Sequence, residues 1–482
     1  MNRFWIPIVT LTAMLFGSTF CCADSNDELL ARIPEQANIL AVIDNTGLEN
    51  SPLGVKLKWA ENYQKSAIGG LFGGPPHLTR LVLATQIDHH TLQNQWEIGI
   101  AELGHGYSIT NKALVGSTGG TRDSVGGHEV TLTPQNTYLA LFDQRHVGVM
   151  CPANRQALSR WLRMPGFTGT ARISQFLQNS VSNMPKGSQA LLAIDMADMF
   201  DADGLRQRLK KSKIIADGNI GIDDATNLFA EIKGLTLALR VSDDINGELR
   251  VVFNTAPTFL MPVAKKLLMS AFAKIGATID DFENWDTLVD GNAILLSGKL
   301  TQSSVRKLFS PLTLPTFVTS DGGHADDTPA AASVRYFGAV RSYIDDLRDT
   351  KSRTSTDRSF WFNQFANKID KLPTLNVDPD LLKYGAEVSS TFRGLANLGT
   401  NTLQQQRLAA ANSNNPFYYY NGAGWGYDNF PSRAGSLIAA NNLISQQGNT
   451  EIAIRNETWK NIEAATVAIR DQMTQRYQTQ FK

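Results

Sequence analysis

Cysteine is nearly absent from this sequence: three residues in 482, at positions 21, 22 and 151. That excludes a disulfide framework and a multi-cysteine zinc module, both of which need several thiols at set spacings. An excess of charge of one sign is lacking as well. Lysine plus arginine and aspartate plus glutamate each number 45, so the formal net charge is zero. Such a chain has no cationic footprint for phosphate neutralisation, and nucleic acid is not an expected partner. No apolar run reaches the roughly 20 residues that a bilayer-spanning helix needs, so the mature chain is expected to carry no transmembrane span. The phosphate-loop pattern G-x-x-x-x-G-K-[ST] and the G-x-S-x-G elbow do not occur. His128-Glu129 is followed by Val-Thr-Leu, which breaks the paired-histidine zinc helix. These gaps leave no recognisable catalytic motif, metal site or cofactor.

What is present suits a folded, exported protein. Hydrophobic residues make up 42% and charged residues 19%, too apolar for a disordered chain. At about 150 residues per domain the length predicts roughly three domains. The start reads as a secretory signal peptide, residues 1–23. Asn2-Arg3 supplies a positive charge, Phe4 to Phe16 is apolar but too short to span a membrane, and small residues precede cleavage after Ala23. The expected location is therefore periplasmic or secreted. Cleavage leaves Cys151 as the one thiol, at the end of an apolar run, where a buried structural cysteine is the ordinary outcome.

A duplication lies under the first two thirds. Ile39-Leu40-Ala41-Val42-Ile43-Asp44 recurs as Leu191-Leu192-Ala193-Ile194-Asp195, and Leu81–Ile87 recurs as Leu235–Val241. The pattern of Asn154–Leu162 returns at Thr301–Phe309, with Asn154 and Thr301 as N-caps. The expected units are 24–165 and 166–312, each a mixed α+β unit with mostly antiparallel sheet. Each opens on a short strand followed by a helix (Gly54–Ala67 or Leu205–Lys213), then a hairpin. Asn246-Gly247 is the predicted turn of the second hairpin. A helix over Thr258–Ile275 is expected in the second unit, and a Gly/Ser/Thr-rich loop, Gly116–Gly127, in the first. A linker, 313–330, leads to a helical region, 331–482. Its last helix, about Asn449–Gln478, carries a stripe of Trp459, Ile462, Ile469 and Met473 that must be covered, and Tyr343, Leu347, Trp361 and Phe365 offer a matching surface.

Four constellations tempt a chemical reading. Asp195, Asp198, Asp201 and Asp203 precede Gly204, but a calcium loop set on that glycine would need Met199 and Lys210 as ligands. Asp88-His89-His90 with His77, His105 or His128 could hold a metal only in a loop geometry that adjacent strand residues do not give. Asp280, Asp281, Glu283, Asp286 and Asp290 read as the solvated face of a helix. The segment from Phe417 to Tyr427 is different, because Tyr418, Tyr419, Tyr420, Trp425 and Tyr427 can stack on sugar rings or on a protein partner.

The opening Ile33-Pro34-x3-Asn38-Ile39-Leu40-Ala41-Val42-Ile43-Asp44 belongs to a wider pattern. Lys368-Ile369-Asp370-x-Leu372-Pro373-x-Leu375-Asn376-Val377 and Ile469-Arg470-x2-Met473-Thr474-x2-Tyr477 complete it. Together they resemble uncharacterised exported proteins of planctomycete-type bacteria. The resemblance implies an exported location and assigns no catalytic residue. The expected function is a non-enzymatic binding or structural role in the envelope or periplasm, with a protein or glycan partner. The alternative is a hydrolase of an envelope polymer whose site is assembled from residues distant in sequence.

Overall fold

The computed structural model describes residues 25–62, 72, 77–88, 94–167, 169–312, 328–348, 358–398, 419–420, 425–426 and 451–481. The first stretch runs α1 (Ser25–Leu30), β1 (Ile39–Asp44), and three short helices, α2 (Asn45–Glu49), α3 (Pro52–Lys56) and α4 (Trp59–Asn62). The long strands β2 (Leu78–Ile87) and β3 (Asn94–Leu103) follow, then α5 (Asn111–Thr118). Four strands, β4 (Thr121–Val125), β5 (His128–Thr133), β6 (Thr137–Leu141) and β7 (His146–Cys151), lead to α6 (Arg155–Leu162). The second stretch has α7 (Gln175–Ser182), β8 (Ala190–Asp195), α8 (Ala202–Lys210), α9 (Lys213–Asp217) and α10 (Ile222–Ala230). It continues with β9 (Ile232–Val241), β10 (Ile245–Phe253), α11 (Ala264–Lys274), β11 (Asp286–Asp290), β12 (Ala293–Leu300) and α12 (Gln302–Leu308). The helical region comprises α13 (Pro329–Arg348), α14 (Ser359–Asp370), α15 (Pro379–Leu398) and α16 (Glu451–Tyr477), with a two-residue strand pair, β13 (Tyr419–Tyr420) and β14 (Trp425–Gly426).

The architecture is α+β. Twelve strands form one antiparallel sheet in the order β11-β12-β10-β9-β8-β1-β2-β3-β7-β6-β5-β4. Its centre is the antiparallel pair β1 and β8, with Ile39 opposite Ile194, Ala41 opposite Leu192 and Ile43 opposite Ala190. Outward from that centre the first stretch runs β1-β2-β3-β7-β6 and the second β8-β9-β10-β12-β11. In each, an opening strand pairs with a hairpin, the hairpin with the last strand, and the last strand with its predecessor. A helix closes each stretch: Asn154 caps α6 by accepting from the Ala157 N–H, and Thr301 caps α12 by accepting from the Ser304 N–H.

The sheet separates two cores. Leu40, Val42, Val82, Ala84, Ile98 and Ile100 pack under Leu29, Leu30, Leu158, Trp161, Leu177 and Val181 of α1, α6 and α7. The alternate residues Ile39, Ala41, Ile43, Leu192, Leu237 and Leu249 face a second core shared with α12 to α16. The final helix closes that core. Ile462, Ile469 and Met473 are buried, Trp459 packs at 6.3 Å from Phe362 and 6.2 Å from Phe392, and the Tyr384 and Thr466 hydroxyls are 2.7 Å apart. The stripe is thus covered within the chain.

Several local expectations are corrected. The hairpin turn falls at Ser242–Asp244, and Asn246 and Gly247 lie inside β10. Gly247 is there for packing: with Gly298 opposite it on β12, it makes a slot for the Trp285 indole. A Cβ on Gly247 or Gly298 would come within 2.5 Å or 2.4 Å of that ring. The supposed loop at Gly116–Gly127 contains the end of α5 and all of β4. Thr110 caps α5 through the Ala113 N–H, and Gly119 ends it at φ 66°. The acidic run is a 3-10 turn, Asp280–Asn284, followed by edge strand β11, not a helix. The helix expected over Thr258–Ile275 breaks into a 3-10 turn, Thr258–Leu260, and α11; the described part of the one expected over Gly54–Ala67 forms α3 and α4; and the one expected over Leu205–Lys213 lies three residues earlier as α8, with α9 after it.

Candidate functional site

Tyr419-Tyr420 pairs antiparallel with Trp425-Gly426, Tyr420 opposite Trp425. The register brings the middle of the predicted aromatic surface together on two adjacent strands. Tyr418 and Tyr427 lie outside the described residues, as do His89 and His90. Asp201 accepts from the Asp203 and Gly204 N–H groups as the N-cap of α8, which accounts for the acids before Gly204. Asp195 accepts from the Ala197 N–H in the turn after β8. Among the described residues no three of histidine, cysteine, aspartate and glutamate converge as metal ligands. None of the described helices is long and apolar enough to cross a membrane.

The structure brings together a group that is invisible in sequence: charged side chains buried between the sheet and the helices above it. On the sheet, Cys151 at the end of β7 stands opposite Glu97 of β3. The Glu97 carboxylate, 2% exposed, lies 3.1 Å from the Lys371 ammonium just after α14. It also accepts from the Asn94 amide, which reaches the Pro311 carbonyl at 2.6 Å. Burial is the largest influence on the Lys371 ammonium and opposes its charge, but Glu97 and Cys151 together outweigh it and raise the ammonium pKa. The Cys151 thiol is pushed up by burial, so it is a poor nucleophile.

A second cluster adjoins the first. The Arg306 guanidinium of α12 grips the Asp346 carboxylate of α13 with two bonds of 2.5 Å, and the Ser303 hydroxyl donates to the Asp346 carbonyl at 2.9 Å. Asp346 and Lys307 are both buried, and Arg358 donates toward the Leu347 carbonyl. The Lys307 ammonium lies in the field of Asp346, Asp280, Asp281 and Arg358, and burial pulls its pKa down to about 8. Lys368 is half-buried, with its ammonium 6.0 Å from the Tyr343 ring and 5.8 Å from the Phe365 ring. Burial pulls it to about 8 too, while Asp346 and Glu97 favour its charge and Arg306 and Lys371 oppose it. Lys368 therefore links the two clusters. Sequence reasoning missed the seam because its members come from β3, α12, α13 and α14; the available signal was lysine and arginine recurring inside otherwise apolar helical stripes.

No family model matches the chain, and no curated protein matches it. Among solved structures, crystal form I of TP0453 is similar at a TM-score of 0.35 and 13% identity, covering 59% of this chain and 97% of that one. Crystal form III gives a TM-score of 0.32 at 12% identity over 58% and 97%, and crystal form IV gives 0.29 at 13% over 56% and 92%.

Proposed function

We propose that this chain is an exported, non-catalytic binding protein of the envelope or periplasm, and that the aromatic hairpin around Tyr419–Gly426 is its contact surface for a glycan. The observation that carries the reading is the register that sets Tyr420 opposite Trp425. Aromatic residues paired in register on a short strand pair suit the apolar faces of sugars. The engagement of the buried acids agrees with it, since Glu97 and Asp346 are committed to ion pairs that join layers. Export rests on Asn2-Arg3, the short apolar run and Ala23. We also propose that residues 24–165 and 166–312 descend from one duplicated unit; the shared strand order outward from β1 and β8 supports this.

Co-sedimentation of the purified mature protein with insoluble cell-wall polysaccharide tests the binding role. Wild type should pellet with the polymer, and the Tyr420→Ala/Trp425→Ala variant should stay in the supernatant. Equal pelleting of both would remove the hairpin from the site, and soluble sugars released by wild type would make the chain a hydrolase instead. N-terminal sequencing from the native host should find a start near residue 24.

A further inference from the structure

The sheet ends differently on its two sides, and the shared strand order shows what one end lacks. Counted outward from the central pair of Ala41 and Leu192, Thr287 of β11 holds the place that Leu139 holds on β6, so Leu288 holds the place of Ala140. Ala140 is 1% exposed, with Val130 of β5 opposite it. Leu288 is 46% exposed, and among the described residues no strand pairs with the outer edge of β11. The first stretch thus carries a strand, β5, at the position that the second leaves open.

An open edge offers its backbone N–H and C=O groups to any extended chain. Side chains alternate along β11, so Asp286, Leu288 and Asp290 share one exposed face. Charged residues at an edge commonly guard against self-pairing. A guard does not need a large apolar side chain between the charges, and the opposite edge strand, β4, exposes none. Antiparallel pairing of β11 with a second copy about Leu288 would set the Asp286 of each copy opposite the Asp290 of the other, and like charges directly opposite destabilise a sheet. The same two carboxylates favour a strand that has a cation on either side of an apolar residue.

We propose that the outer edge of β11 is a docking site for an extended segment of a partner protein, which adds antiparallel as one further strand in the position that β5 takes beside β6. The segment has the pattern cation–x–apolar–x–cation. Its apolar residue lies against Leu288 as Val130 lies against Ala140, and its cations face Asp286 and Asp290. Asp290 also holds Arg250 at 2.8 Å, so Asp286 is the stronger selector. Main-chain hydrogen bonds supply the affinity, and the alternate side chains choose the partner. This docking needs neither the aromatic hairpin nor common descent of the two stretches.

The test uses the intact protein at pH 7.0 and a fluorescent peptide, Thr-Lys-Thr-Val-Thr-Lys-Thr, followed by anisotropy. The peptide should bind saturably, and Thr-Glu-Thr-Val-Thr-Glu-Thr should bind about tenfold more weakly, because two cross-strand charge pairs change sign. Asp286→Lys should narrow or reverse that preference, and Leu288→Ser should weaken both peptides. Both residues are exposed on the edge strand, so neither change threatens the fold. Two N-methylated versions of the lysine peptide, one methylated at the lysines and valine and the other at the threonines, separate strand addition from plain charge attraction. An added strand presents every second N–H to β11 and the others to water, so one version should fail and the other should bind. No saturable binding, equal binding of the lysine and glutamate peptides, an unchanged preference in Asp286→Lys, or equal behaviour of the two methylated peptides would each overturn the proposal. Self-association that depends on Leu288, with no peptide bound, would make a second copy the occupant and overturn it as well.

Discussion

The two stretches of the sheet share an order of strands but not a pattern of burial. In the first, β3 is buried almost continuously from Glu97 to Leu103, because α1, α6 and α7 cover one face while α5 and residues around Lys371 cover the other. In the second, β10 alternates between buried and half-exposed residues, since only one of its faces is covered. The closing helices show the same contrast. Trp161 of α6 belongs to the core under α1 and α7, whereas Val305 of α12 belongs to the core shared with the helical region. One strand order therefore hosts two layer arrangements, and what decides between them is which helices the rest of the chain supplies. The lesson extends to charge: acids on the doubly covered stretch must be paired within the protein, while those on the half-open stretch can rely on water.

Truncating Trp161 should break the first arrangement most severely. Its ring is fully buried, meets Phe142 edge-on at 5.1 Å, and its indole N–H donates to the Arg32 carbonyl at 2.7 Å. Trp161→Ala removes a large buried ring and orphans that carbonyl, so a loss of about 3–5 kcal/mol is expected in denaturant unfolding. The counterpart cut on the second stretch, Leu308→Ala in half-buried Leu308, should cost clearly less. Equal losses would erase the contrast.

Glu97→Ala attacks the buried ion pair of the doubly covered stretch. It leaves the Lys371 ammonium without its carboxylate in the seam, and breaking a buried pair from one side costs about 3–5 kcal/mol. A melting curve should show the loss, and Glu97→Ala/Lys371→Met should recover part of it, because an apolar pair avoids the stranded charge. A double variant less stable than the single one would mean that the pair contributes net stability.

Gly298→Ala sharpens the other side. Its methyl would lie 2.4 Å from the Trp285 ring, which is fixed by its own N–H donating to the Lys299 carbonyl at 2.8 Å. The ring must shift, and overpacking of this kind costs about 1–3 kcal/mol. This slot also shows how far the sequence could be read. The α+β class, the opening strands, the capped closing helices and the stripe on the last helix follow from local patterns. Asn246-Gly247 misled, because a glycine kept to admit an indole from forty residues away has the same local appearance as one kept for a turn. The polar end of α5 hid a helix for a related reason: its caps, Thr110 and Gly119, were less visible than its small residues. For the seam, no window of sequence contains Glu97, Lys307, Asp346 and Lys368 together.

The pH dependence of stability should distinguish the seam from the surface. Lys307 titrates near 8 in the folded chain and near 10.5 when unfolded, so between these values the unfolded state binds more protons and stability rises with pH. Cys151, pushed upward by burial, acts in the opposite direction once the unfolded thiol ionises. The difference between wild type and Lys307→Met isolates the lysine. Relative to the variant, wild type should gain on the order of 1–3 kcal/mol between pH 7.5 and 9.5. A flat difference would mean that the ammonium is solvated or paired at neutral pH.

The smallest expected effect is the control for all the others. Arg250 of β10 pairs with Glu248 at 2.8 Å and with Asp290 of the edge strand at 2.8 Å, a geometry as good as that of Lys371 with Glu97. The difference is the medium. Arg250 is 36% exposed, and its partners 31% and 53%, so water screens the attraction and solvates whatever a substitution leaves behind. Arg250→Ala should therefore cost under about 1 kcal/mol, and the cost should shrink further in 0.5 M salt, where charges at the surface are screened within a few ångströms. Glu97→Ala should keep more of its larger cost in the same salt, because the Glu97 side chain is 3% exposed and Lys371 22%, so counterions screen this pair less. If the two variants instead lose similar stability and respond alike to salt, the covered and half-open stretches have the same electrostatic environment, and the difference in layers has no energetic consequence for charge.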